Sequence, residues 1–129
     1  YSCPMRVKPS VVLVGLPENR DWLIKQLLYW VGPMWTCLYA TDNFMYYRGG
    51  VYEEVVGPDQ LNHAVTLVGY DDYLGAWLIK NSWSDQWGMS GYAWVKYGSL
   101  NINYILGLML LDTSTAEAIN AGEAGMASK

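Results

Sequence analysis

The sequence predicts an α+β domain in which one helix is followed by antiparallel strands, forming a twisted sheet or a partly closed barrel. Three observations carry that class. A single helical pattern, "ENRDWLIKQLLYWVGP", lies near the start. From residue 34 to 112 the chain reads as short strand-like runs separated by turn residues. "AWLIKN" and "YAWVKY" carry consecutive apolar residues, as strands covered on both faces do.

In order, "VVLV" (11–14) reads as a short strand ended by Gly15 and Pro17. The helix follows, with Asn19 placed to cap it and Asp21 near its positive end. Trp22, Leu23, Leu27 and Trp30 recur at helical spacing as its apolar face, and Gly32-Pro33 stop it. Strand-like runs then come at "MWTCLYA" (34–40), "FMYYRGGVYEE" (44–54), "HAVTLVGYDD" (63–72), "GAWLIKNSW" (75–83), "GYAWVKYG" (91–98) and "ILGLMLL" (105–111). Tyr70 to Gly75, set between two apolar runs, is a hairpin signal. From Thr113 the chain turns rich in Ala, Gly and Ser, which predicts a flexible tail or weak helix over 113–129.

At 129 residues the chain is one domain's length, long enough to bury a core. Its hydrophobic share is 52% against 16% charged, which excludes a disordered segment. Seven Trp and eleven Tyr accompany one Phe, so many rings carry an N–H or O–H that needs a partner, and some are expected to face a cleft or a second domain. A net charge of −4 without Lys/Arg clusters argues against nucleic-acid binding. No apolar run approaches a transmembrane length, so no membrane insertion is expected. Pro4 and Pro9 interrupt what a signal peptide would need, so the chain reads as a mature product or an excised piece. Cys3 and Cys37 leave three alternatives: a mutual disulfide, free thiols, or a bond outside the chain. With one histidine and two cysteines, no metal site is expected, and no cofactor.

The single histidine, His63, is where chemistry enters. A lone histidine between apolar stretches is ordinarily a packing residue, and composition alone gives only an α+β domain. The combined pattern reads differently. "NHAVTLVGYD" (62–71) followed by "WLIKNSWSDQWGMSGYAWVKYG" (77–98) resembles the second half of the papain-like cysteine peptidases. Upstream, "VGPMWTCLYA" resembles that family's Gly-Pro strand and "YYRGGVY" its Tyr-x-x-Gly-Val-Tyr segment. The resemblance runs in order from about Tyr1 to Asp112. It implies the β-rich, right-hand papain-like domain over 13–112, with 1–12 a connector from a missing helical half.

The resemblance implies roles for individual residues. His63 becomes the base that stabilises a cysteine thiolate and later protonates the leaving amine. Asn81 orients the imidazole through its side-chain oxygen without adding a full charge. Trp83 covers the pair and walls the leaving-group side, while Trp83 and Trp87 also admit a packing-only reading. Cys37, Leu61, Ala64 and Leu111 line an apolar pocket, and Asn62 joins the substrate-binding set. The family's nucleophilic cysteine and its oxyanion glutamine have no counterpart here. The implied function is a cysteine-type endopeptidase acting on peptides or proteins, with a companion first half supplying both missing groups. Cys3 would be the link to that companion through a disulfide. The family's disulfide within this half is absent at both ends, since the loop reads "EEVVGPDQL" and the strand offers Leu106. The alternative is a non-catalytic binding or assembly module that lost the nucleophile. Family membership also implies a lysosomal, vacuolar or secreted setting.

Overall fold

The computed structural model describes residues 7–14 and 21–111, with only the backbone described for 7–14 and 108–111. The expectations about Cys3, Asn19, Gly15 and Pro17, and the tail lie outside these residues. The described chain runs β1 (Val7–Val14), α1 (Asp21–Trp30), β2 (Met34–Leu38), α2 (Asp42–Met45), β3 (Val51–Tyr52), β4 (His63–Asp71), β5 (Ala76–Lys80), β6 (Tyr92–Lys96) and β7 (Ile105–Leu111). The seven strands form one sheet in the order β1-β7-β2-β4-β5-β6-β3. All neighbours pair antiparallel except β3 with β6. With β1 and β3 as its edges the sheet is open, and the class is α+β.

Helix α1 begins with Asp21 in its first turn, as the helix dipole favours. It ends where the Val31 and Gly32 amides both donate to the Leu27 carbonyl (2.8 and 3.2 Å), with Gly32 at a φ of 108°. Its inward face differs from the expected one. Ile24 is fully buried and Leu27 and Leu28 pack on the core, whereas Trp22 and Trp30 stand in solvent, 68% and 75% exposed. Residues 24, 27 and 28 sit at the spacing of one helical stripe, and that aliphatic stripe takes the core side in place of the bulkier indoles.

Strand β2 alternates cleanly: Met34, Thr36 and Leu38 point into the core, Trp35 and Cys37 away from it. Thr36 is fully buried because its hydroxyl donates to Asn103 Oδ1 (2.8 Å) and accepts from the Asn103 amide (3.1 Å), latching β2 to the loop before β7.

The run expected to be strand after residue 43 is instead the single turn α2 and the two-residue β3. Thr41 caps α2, its hydroxyl accepting from the Phe44 amide at 3.2 Å, and Phe44 anchors the turn at zero exposure. The hairpin between β4 and β5 forms as expected. Asp71 Oδ1 accepts from the amides of Tyr73 and Leu74 (2.8 and 3.2 Å), and Gly75 takes the positive φ the turn requires. β5 stops at Lys80, short of the expected Trp83, because Asn81 leaves the ladder, its amide donating instead to the Gly91 carbonyl at 2.8 Å.

Candidate active site

His63 opens β4 and Asn81 directly follows β5, its antiparallel neighbour, with Thr66 paired to Lys80. The hairpin therefore returns the chain to His63's end of the sheet. His63 Nε2 lies 2.7 Å from Asn81 Oδ1. The same oxygen accepts from the Ser82 backbone amide at 2.7 Å. A backbone N–H can only donate, so the atom there must be the amide oxygen, and His63 must carry its proton on Nε2. Nδ1 is thereby left as the nitrogen for proton exchange. Asn81 is 5% exposed, so its orientation is held by burial as well as by Ser82. The Ser82 amide is a backbone group with no side-chain signal, which is why the sequence did not reveal it.

Trp83 stacks on the imidazole, with centroids 4.7 Å apart and planes at 24°. It is braced edge-on by Trp87 (5.3 Å) and tilted against Phe44 (6.0 Å). Trp87 in turn donates from Nε1 to the Met45 carbonyl at 3.1 Å. The aromatic group thus fixes α2 against the loop after β5, so Trp87 and Phe44 belong to the support of the site. The one sequence signal for this was the capping threonine ahead of Phe44.

Asn62 is used by the fold. Its side chain takes the Ala40 amide (2.7 Å) and gives to the Ala40 carbonyl (3.2 Å), while its own amide donates to Leu38. This clamp ties the residue before His63 to the end of β2.

Cys37 pairs with Ala64 across β2 and β4, so their side chains share the face turned from the core. Leu61 is half-buried just ahead of β4. His63 pairs with Leu38 and so points to the opposite face from Cys37 and Ala64. Burial pushes the Cys37 thiol above its ordinary value. Leu111 lies apart from this group. β7 meets β2 at Met34↔Leu108 and Thr36↔Leu106, so Leu111 falls beyond Met34 and Cys37 beyond the other end. About 20 Å of extended strand separate the two levels. On the Cys37 face a groove of about 400 Å³ is lined by Trp35, Ala64, Val65, Thr66, Lys80, Asn81 and Ser82. Among the described residues, no group of His, Cys, Asp or Glu could hold a metal ion, and no helix is long and apolar enough to cross a membrane.

A family model described as papain family cysteine protease matches residues 7–106. The chain belongs to the papain family. Cathepsin B-like CP3 of Giardia intestinalis is 45% identical over 64 residues, covering 47% of this chain and 21% of that protein. Pro-cathepsin H of Mus musculus is 35% identical over 94 residues, covering 69% of this chain and 28% of its own length. Among solved structures, digestive procathepsin L2 proteinase from Tenebrio molitor larval midgut aligns with a TM-score of 0.65 at 30% identity, over 79% of this chain and 34% of that one. Bromelain protease from Ananas comosus in complex with the E64 inhibitor aligns at 0.62 and 27%, over 78% and 50%. The chain therefore spans between about a fifth and a half of these relatives.

Proposed function

We propose that this chain supplies the proton-transferring half of a cysteine-type endopeptidase, with the nucleophilic cysteine and the oxyanion glutamine brought by a companion first half. The observation that carries the reading is the His63–Asn81 bond, with the amide oxygen fixed by Ser82 and the ring covered by Trp83. In this reading Nδ1 takes the proton of the companion's thiol, and the imidazolium lowers the thiol's pKa. The thiolate attacks the peptide carbonyl carbon, a C–S bond forms, and the C–N bond breaks as Nδ1–H protonates the departing amine. Water then gives its proton to Nδ1 and attacks the thioester, releasing the acid and the thiol.

The companion meets this chain at the Asn81–Ser82 end of the groove, beside His63, and the acyl part of the substrate lies along its Ala64 side, with Cys3 available for a covalent link to the companion. Cys37, Leu61 and Ala64 form the apolar wall of the pocket for the side chain two residues before the cleaved bond's carbonyl. Leu111, expected there from the family resemblance, is left out of this wall by the β2–β7 register. Asn62 contributes by holding the wall to β2 rather than by its own side chain's contact with substrate. The setting proposed is lysosomal, vacuolar or secreted, in keeping with the digestive larval-midgut relative. The domain takes in residues 13–112.

Burying a Leu or Phe side chain against such a wall gains about 1.5–3 kcal/mol, and an unpaired Arg there costs several. A positional-scanning library on the reassembled protein should therefore favour Leu, Val or Phe over Arg at that position by at least about tenfold in kcat/KM. Co-expression with a cathepsin-type first half tests the reading itself. Peptidase activity should appear and His63→Ala should abolish it. A folded assembly that stays inactive would leave the chain a binding module.

A further inference from the structure

We propose that Arg48 builds a carboxylate-binding subsite for the leaving side of the substrate, a proposal that rests on the peptidase reading above. A second, smaller cavity of about 90 Å³ lies beyond Trp83, lined by Met45, Tyr46, Tyr47, Arg48, Gln86, Trp87 and Gly88. Its volume is about that of three waters, which suits a carboxylate group. Arg48 is its one charged wall, and no carboxylate lines it. Arg48 has no hydrogen bond or ion pair among the described residues, and the hydroxyl of the exposed Tyr46 adds polar capacity, while the Gln86 side-chain nitrogen already donates to Asp85 Oδ1 at 3.5 Å. The remaining walls are the rings of Tyr47 and Trp87 with Met45 and Gly88. An unpaired guanidinium beside apolar rings is a site for a planar anion, which it can grip with two parallel N–H donors.

Position ties this cavity to the reaction. His63 has two sides. Ala64 points to the groove on one face of β4, and Trp83 stacks on the imidazole from the other. With the acyl part of the substrate on the Ala64 side, the amine that His63 protonates departs along the Trp83 side. From His63 the rings step 4.7 Å to Trp83 and 5.3 Å to Trp87, which is also a wall of the cavity. An extended peptide covers that distance in about three residues at ~3.3 Å each. The cavity therefore takes the third residue beyond the cleaved bond, as an Asp or Glu side chain or as a chain-terminal carboxylate.

The test uses this chain assembled with its first half and internally quenched peptides that differ only at that third residue. At low salt, Glu should be preferred over Lys by about fivefold in kcat/KM, the size an exposed ion pair allows, and the preference should shrink as salt rises. Arg48→Ala should flatten the preference and Arg48→Glu should reverse it. Peptides ending at the third residue with a free carboxylate or an amide separate the two sources: faster cleavage of the free acid assigns the site to a chain terminus, and a preference confined to Glu assigns it to a side chain. A coumarin amide substrate, which has no peptide beyond the bond, should be cleaved equally by all Arg48 variants. Intact coumarin cleavage with a flat Glu/Lys ratio, or a ratio indifferent to Arg48→Ala, overturns the subsite alone. Failure to cleave the coumarin substrate removes the peptidase reading, and the subsite with it.

Discussion

Asn81 Oδ1 accepts from His63 and from Ser82, and the two bonds act on different things: one fixes the ring, the other fixes the fixer. Truncating Asn81 removes the acceptor of a ring N–H that Trp83 covers, so the imidazole loses its orientation and its Nε2–H loses its partner. A buried donor left unsatisfied costs about 1–3 kcal/mol. Asn81→Ala should therefore lower kcat/KM of the assembly by roughly ten- to a hundredfold while leaving measurable turnover, unlike His63→Ala. Steady-state kinetics on the two variants checks this, and equal loss from both would mean that Asn81 does more than orient. Trp83→Ala should also reduce kcat/KM, because the 4.7 Å stack that shields the pair is gone. The pairing "NHAV" with "KNSW" made His63 and Asn81 legible in the sequence. Leu111 lies at another level of the sheet from Cys37, because family order along a strand does not give the register of that strand against its neighbour.

At the scale of elements, the loop between β5 and β6 holds the aromatic support in place, and Gly88 sets its path. Gly88 has a φ of +60°, and a Cβ there would fall 2.7 Å from the Tyr92 carbonyl oxygen and 3.2 Å from the Tyr47 ring. Gly88→Ala should thus destabilise the domain by about 2 kcal/mol or more and lower Tm by roughly 5–10 °C. Gly49→Ala, where a Cβ meets nothing within 4 Å and φ is not positive, serves as the near-neutral control. Thermal unfolding of the two variants decides the matter, and equal Tm values would show that the loop is free to move. The same region is where sequence reading was weakest. Strands β4, β6 and β7 follow from apolar runs bounded by turn residues. The run after Thr41 does not: its aromatic content reads as strand, yet a capping hydroxyl and one buried ring make it helical for a turn. The face of α1 departs from the apolar pattern for a related reason, since indoles dominate an apolar count while aliphatic residues fit the core.

For the whole molecule, the decisive geometry is a sheet with the imidazole on one face and the described cysteine on the other. Cys37 and His63 lie on adjacent strands, but Cys37 faces with Ala64 and His63 with Leu38. Alternation along a strand cannot be undone without slipping the register, which would turn Val65 and Leu67 out of the core. Burial also raises the Cys37 thiol's pKa, so near neutral pH it stays in the poorly nucleophilic protonated form. The chain by itself should then neither hydrolyse peptides nor be labelled by a thiol-directed epoxide. Alkylation of Cys37 by iodoacetamide should be slow at neutral pH and quicken as the pH rises. Adding the first half should restore hydrolysis and epoxide labelling together, with the label on the companion's cysteine. Mass spectrometry of the labelled assembly locates it. Peptidase activity from the isolated chain that is lost in Cys37→Ser would require a register other than Cys37↔Ala64, and the placement of the site would fall with it.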